Sequence, residues 1–189
     1  MTLIEEWILQ IVEKGESEAF TKIIEAFQKP IFMYCYRLLG NRQEAEDATQ
    51  DIFFKAYQKL EQYKPTCSFS SWLYKIAYNH CLDLTRKRKI YQRIKRLFTF
   101  NLVTESIEQT FEKQLFSESL TYALSKLSLQ ERNLLILRIF EEKTFEEIGL
   151  IFGKSTAAVK KQYERTKNKV KKRINESEAK EHEECTTLP

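Results

Sequence analysis

Apolar residues recur three and four positions apart along nearly the whole chain, and the breaks in that rhythm fall where Gly or Pro can stop a helix. With only 4 Gly and 3 Pro in 189 residues, the chain lacks the turn-forming residues an all-β fold needs. The spacing predicts an all-α protein. A first helix covers 3–14 and ends at Gly15; Ser17 caps a second that carries Phe20, Ile23, Ile24 and Phe27. Pro30 opens a third, which Gly40 terminates, and Asn41 caps a long helix over 43–62. The run from Lys64 to Ser68 is the next break, after which Ser70 or Ser71 caps a helix reaching about Lys89.

From Ile90 to about Phe111 the periodicity fades, marking a linker, and a helix over 112–126 follows. Ser128-Leu-Gln-Glu131 and Thr144-Phe-Glu-Glu147 both have capping-box spacing and announce helices over 129–142 and 145–152. Gly153-Lys154-Ser155 then turns the chain sharply into a helix over 156–174. The organisation predicted is two small helical domains joined by a flexible linker. One domain spans 1–89, the linker 90–111 and a helix-turn-helix domain 112–175; the acidic tail, 176–189, has a composition suited to disorder.

Charge is strongly segregated beneath a formal net charge of +4. Residues 64–99 hold nine basic side chains against one acid, Asp83, and residues 154–173 hold nine against Glu164. The rest is acidic. Two separate basic surfaces suit a protein that grips a polyanion at two places, although basic residues near helix C-termini, such as Arg86 to Lys89, also simply complement the helix dipole.

No stretch approaches the ~18 consecutive apolar residues of a membrane span, and the first thirty residues lack a signal-peptide layout. Cys35, Cys67, Cys81 and Cys185 form no CxxC pair and read as reduced thiols, which places the chain in the cytoplasm. His182 and Cys185 make an HxxC half-motif in a polar tail, too little for a metal site. There is no Gly-rich phosphate loop and no HExxH pair, and His80 and His182 are the only imidazoles. Glu5-Glu6, Glu141-Glu142 and Glu146-Glu147 are neighbours in sequence, and neighbours on a helix do not share a face. The expectation is a protein that is not an enzyme, with no cofactor, metal or small-molecule substrate.

Binding is the better reading. In the C-terminal unit a short helix, a turn containing Gly153 and a basic second helix make a helix-turn-helix layout. Val159, Tyr163, Val170 and Ile174 form the inward stripe of that second helix, leaving Lys160, Lys161, Glu164, Arg165 and Lys167 outward to meet base edges and phosphates. An ordinary helical hairpin with a solvated basic face has the same pattern. In the helix after Asn41, Ala45, Ala48, Ile52, Ala56 and Leu60 make the buried stripe, while Asp47, Gln50, Asp51 and Phe54 share another face. An acidic face with an exposed Phe suits a basic protein partner, or water.

Beyond it lies an aromatic-flanked polar loop, from Tyr63 through Lys64, Thr66, Phe69, Ser70 and Ser71 to Trp72. It opens a helix with Lys75, Asn79 and Arg86. Aromatics interleaved with basic residues suit unpaired nucleic acid, although Phe69 and Trp72 at a helix start also have the character of core anchors. Extruding a paired base costs a few kcal/mol and stacking returns roughly 1–3 kcal/mol per base, so such a loop holds one or two bases and needs a larger partner to open more.

These residues together resemble a known family, the bacterial sigma factors of the extracytoplasmic-function type. The likeness rests on Ala45-Glu-Asp-Ala-Thr-Gln-Asp51 with Phe53, on Phe69-Ser-Ser-Trp-Leu73 with Ile76, Asn79, Asp83 and Arg86, and on residues 127–172. It implies that the first unit is sigma region two, the second is region four, and the linker threads along the polymerase. It implies that Asp47, Gln50, Asp51 and Phe54 meet core RNA polymerase, at the coiled-coil clamp of its large subunit. Tyr63, Lys64, Thr66, Phe69, Ser70, Ser71, Lys75, Asn79 and Arg86 would hold the minus-ten element of promoter DNA, with one non-template base flipped out. Lys161, Glu164 and Arg165 would read the minus-thirty-five element, with Lys160 and Lys167 on phosphate. An anti-sigma protein, often membrane-bound in this family, is implied as a further partner.

Two positions depart from the family pattern: Gly149 stands where Ala is usual and slightly weakens its helix, and Glu164 on the reading face favours a cytosine amino group or repels a phosphate. Residues alone leave two rivals: a self-sufficient helix-turn-helix regulator, and an adaptor that binds polymerase without reading DNA.

Overall fold

The structure, a computed structural model, describes residues 3–14, 18–98 and 118–186. Every regular element among them is helical. The expected cap Ser17, the part of the linker beyond residue 98 and the Cys185 side chain lie outside what is described.

Helix α1 is Leu3–Lys14, and α2 is one continuous helix, Glu18–Leu39, with Pro30 inside it. The break predicted at Pro30 does not occur. A mid-helix Pro costs about 3 kcal/mol, but Ile31, Tyr34, Cys35 and Leu38 extend the buried stripe begun by Ala19, Phe20 and Ile23. Burying a large apolar side chain is worth about 1.5–3 kcal/mol, so several together outweigh one lost bond. Helix α3, Arg42–Gln58, starts as expected at Asn41, whose Oδ1 accepts from the Glu44 N–H at 2.8 Å; a short 3-10 turn, Leu60–Gln62, ends it.

Helix α4, Phe69–Phe98, overruns its predicted end by nine residues, because the basic stretch after Arg86 contains good helix formers and neither Gly nor Pro. Its N-terminal cap is Ser68, not Ser70 or Ser71: the Ser71 N–H donates to Ser68 Oγ at 3.2 Å. In the second half, α5 is Glu118–Ser125 and α6 is Leu129–Leu135, which widens into a π-type turn, Ile136–Phe140. Helix α7 is Phe145–Phe152, and α8 runs from Thr156 to Thr186. The acidic tail therefore continues α8 through Thr186, where disorder was expected; Glu, Ala and Lys sustain a helix, and Lys172 and Glu176 pair across one turn at 3.8 Å.

The N-terminal unit is a bundle of α1 to α4 around Ile23, Ile31, Ile52 and Leu73. The C-terminal unit closes on Leu134, Leu137, Ile148, Ile151 and Val159. The two units are not held by the linker alone. Helix α7 packs on α4, with the rings of Tyr78 and Phe152 4.9 Å apart, and the apolar core is continuous from one unit to the other.

Candidate nucleic-acid interface and acidic docking face

The acidic face is built by α3. Ala45, Ala48, Ile52 and Ala56 bury its inner stripe, and Thr49 anchors itself by donating to the Ala45 carbonyl at 2.6 Å. Asp47, Gln50, Asp51 and Phe54 are consequently all exposed, the Phe54 side chain to 63%. Beside Gln50 and Phe54 lies an open apolar groove of about 440 Å³, floored by Phe20, Ile24 and Phe53 and rimmed by Tyr57. Behind the face, His80 of α4 is buried between Lys55 Nζ at its Nδ1 and Asp51 Oδ2, 3.5 Å from its Nε2. Burial, reinforced by Lys55, holds the imidazole pKa below its usual value against the opposing pull of Asp51. The neutral ring therefore accepts from Lys55 and turns its Nε2–H toward Asp51.

The loop after α3 rests on a cluster of rings. Tyr63, Phe69 and Trp72 lie 5.3–5.6 Å from one another, and Phe27 of α2 packs on Phe69 at 5.6 Å. The Tyr63 hydroxyl donates to the Cys67 carbonyl at 2.8 Å, pinning the loop from above. Lys64 and Thr66 project outward, and Lys75, Asn79 and Arg86 are exposed along α4. Phe69, by contrast, is only 4% exposed and Ser71 only 1%. Their burial gives them a supporting place beneath the loop instead of the outward one expected from the resemblance.

Ser70 and Ser71 are also engaged by the second unit. Lys143 Nζ donates to Ser70 Oγ at 2.7 Å, and Ser71 Oγ donates to Glu147 Oε1 at 3.3 Å.

The helix-turn-helix is assembled by local chemistry. The Thr144–Glu147 capping box is complete, and Gly153 takes the left-handed conformation, φ 65°, that ends α7. At Gly149 the absence of a side chain is required by space: a Cβ there would lie 2.7 Å from the Lys154 carbonyl oxygen. The departure from the family's Ala thus lets the turn sit close against α7. Ser155 accepts from the Ala158 N–H at 3.3 Å to start α8, which buries Val159 and Thr166. Lys160, Lys161, Glu164, Arg165 and Lys167 all project outward, as their spacing predicted. Glu164 and Lys167 pair at 2.9 Å, so the acid on the reading face is partly neutralised.

Glu131 caps α6 and meets Lys169 of α8 at 2.9 Å. Burial would raise its pKa, but Lys169 and the Ser128 N–H and hydroxyl prevail and hold the carboxyl below its usual range.

Sequence reasoning missed the contacts between units. Tyr34 of α2 is fully buried and donates to Asn133 Oδ1. Arg37 pairs with Glu141 at 2.9 Å, and the same carboxylate accepts from the Tyr74 hydroxyl. Burial and that bond raise the Tyr74 pKa, so the phenol remains the donor. Pairs of this kind have no sequence period to reveal them.

Residues 23–90 match the family model "Sigma-70 region 2" and residues 117–170 match "Sigma-70, region 4". The ECF RNA polymerase sigma factor SigW of Bacillus subtilis is 30% identical over 175 residues, covering 87% of this chain and 94% of SigW. The B. subtilis RNA polymerase sigma factor YlaC is 29% identical over 167 residues, covering 87% and 96%. Among solved structures, CnrH in complex with the cytosolic domain of CnrY aligns with a TM-score of 0.65 at 19% identity, over 92% of this chain and 95% of that one. The sigma factor RpoE of Bartonella quintana, in complex with the anti-sigma factor NepR, gives 0.64 at 21%, over 82% and 96%. These two support the fold.

The chain belongs to the ECF RNA polymerase sigma factors. As such it binds core RNA polymerase, directs it to specific promoters and assists opening of the DNA.

Proposed function

We propose a division of that work among the surfaces described above. Asp47, Gln50, Asp51 and Phe54 dock on the coiled-coil clamp of the large polymerase subunit. An exposed acidic stripe with an apolar knob is complementary to a basic helical surface and would be repelled by DNA. Tyr63, Lys64, Thr66, Ser70, Lys75, Asn79 and Arg86 hold the minus-ten element, with Phe69 and Ser71 supporting the loop from beneath. Lys161, Glu164 and Arg165 read the minus-thirty-five element, while Lys160 and Lys167 neutralise phosphate. Residues 1–89 then act as region two, 90–111 as the linker, 112–175 as region four and 176–189 as an acidic tail. The protein works in the cytoplasm as a non-enzymatic guide and is held in check by an anti-sigma partner, as the B. quintana relative is bound by NepR.

The observation that carries this reading is the coexistence of an exposed acidic face on α3 with two separate outward basic surfaces, on α4 and α8. The test is transcription in vitro by purified core polymerase on a pool of promoter fragments, with and without this chain. Promoter-selective products only in its presence are expected. Tight DNA binding without polymerase, at palindromic half-sites, would favour the stand-alone regulator instead.

A further inference from the structure

Helix α4 outlasts the bundle it belongs to. Arg88 Nη1 meets Glu44 Oε2, in the first turn of α3, at 3.5 Å, so residues 89–98 run on past the start of α3 as about 15 Å of further helix. On this overhang Ile90 and Tyr91 are 58% and 67% exposed, and Tyr91 is the most exposed of the large apolar side chains among the described residues. In the sequence Ile94, Leu97 and Phe98 follow at steps of three, four and seven, the rhythm of one helical face. From Arg86 to Phe98 the chain carries seven Lys or Arg and no acid.

A basic run alone suits nucleic acid or the helix dipole, and neither gives the apolar residues a use. Phosphates along a duplex neutralise the cations and leave Ile90 in water. A bilayer with anionic headgroups satisfies both halves of the pattern, because Lys and Arg meet the headgroups while the apolar face sinks to the acyl boundary. No helix among the described residues is long and apolar enough to cross a membrane, so such a segment lies on the surface, in its plane.

We propose that residues 86–98 of α4 form a docking surface for an anionic bilayer. Ile90 and Tyr91 enter the acyl boundary, and Lys87 and Lys89 reach lipid phosphate on their long stems. Arg86 also belongs to the minus-ten surface in the reading above, so a chain held on the membrane is withheld from the promoter; that consequence alone rests on that reading.

The test is co-sedimentation of the full-length chain with vesicles of equimolar phosphatidylglycerol and phosphatidylcholine, and with vesicles of phosphatidylcholine alone, beside binding to duplex DNA of random sequence. Wild type should sediment with the anionic vesicles only. Ile90→Asn with Tyr91→Ser should weaken that binding about tenfold or more and leave DNA binding unchanged. Lys87→Gln with Lys89→Gln should also weaken it and flatten its dependence on salt. All four side chains are exposed, and circular dichroism checks that both variants fold. A wild type that does not sediment, or an Ile90 and Tyr91 variant that binds vesicles as tightly as wild type, would overturn the surface. Loss of DNA binding in that variant, with no vesicle binding by the wild type, would assign the face to nucleic acid instead. In transcription by core polymerase, the anionic vesicles should depress the wild-type product about fivefold or more and spare the Ile90 and Tyr91 variant. Output untouched by vesicles that bind the chain would overturn the withholding from the promoter. Failure of the sigma reading shows separately, as absence of promoter-selective transcription with no vesicles present, and does not bear on sedimentation.

Discussion

The Tyr34 hydroxyl donates to Asn133 Oδ1 at 2.8 Å although ninety-nine residues separate them, and both side chains are fully buried. Among the described residues Asn133 Nδ2 has no hydrogen-bond partner, so the Tyr34 hydroxyl is the bond that offsets burial of this amide. Tyr34→Phe keeps the ring and removes the bond, leaving the amide wholly unpartnered at a cost of about 1–3 kcal/mol. Urea unfolding should show that loss, and Tyr34→Phe with Asn133→Leu together should recover part of it. A single variant as stable as wild type would mean that the two units do not meet at this pair.

At Gly149, helix propensity and space pull in opposite directions. Ala is better than Gly inside a helix by about 1 kcal/mol, yet its Cβ would lie 2.7 Å from the Lys154 carbonyl. Because the obstacle is backbone, the turn between α7 and α8 must shift to admit it. Gly149→Ala is therefore expected to lower thermal stability and weaken promoter DNA binding while leaving core polymerase binding unchanged. A higher melting temperature would show that the turn yields easily.

Local features of this fold were legible because their causes are local. Two capping boxes, the Asn41 cap and the Gly153 turn sit within four residues of the groups they satisfy, and each is found where the sequence places it. Pro30 was misread because the buried stripe that carries α2 through it is a tertiary effect. The outward faces of α3 and α8 followed from periodicity, whereas burial of Phe69 and Ser71 depends on Phe27 and Glu147, which are far away in sequence. The same limit hid the Arg37–Glu141 and Tyr34–Asn133 pairs.

Acid should destabilise the chain in two stages. His80 has a lowered pKa in the folded state, so the unfolded chain binds the extra proton first, and stability falls as pH drops through the ordinary histidine value of about 6.5. Glu131 and Glu147 are also lowered, so their contribution is present above about 4.5 and is lost as pH falls through the folded values. For Glu147, burial opposes that shift, and the Thr144 N–H and Lys143 overcome it. Urea midpoints measured from pH 8 down to about pH 2 should decline in these two steps, and His80→Gln should abolish the first step only.

Reversing charge on α3 separates docking from folding. Asp47 and Asp51 are exposed, although Asp51 also faces the buried His80 ring at 3.5 Å, so replacing both with Lys should cost some stability while leaving the helical spectrum unchanged. The same change turns an attractive face repulsive toward a basic coiled coil, where like-charge juxtaposition costs several kcal/mol. Co-purification with core polymerase should be lost. Retained association would move the docking surface elsewhere.

Arg165 and Lys167 lie two residues apart on α8 but should fail in different ways. Arg165 has a free outward face suited to a bidentate contact with a guanine edge, so Arg165→Ala should cost about 1–3 kcal/mol at one position of the minus-thirty-five element and relax the preference there. Lys167 is tied to Glu164 at 2.9 Å, and its role on phosphate is to neutralise charge. Lys167→Ala should therefore weaken binding to all sequences alike and reduce the slope of affinity against salt by about one. Competition between promoter variants at several salt concentrations distinguishes the two. An equal, sequence-independent loss from both changes would remove Arg165 from the reading set, and loss of core polymerase binding in either would contradict the division of labour between the two units.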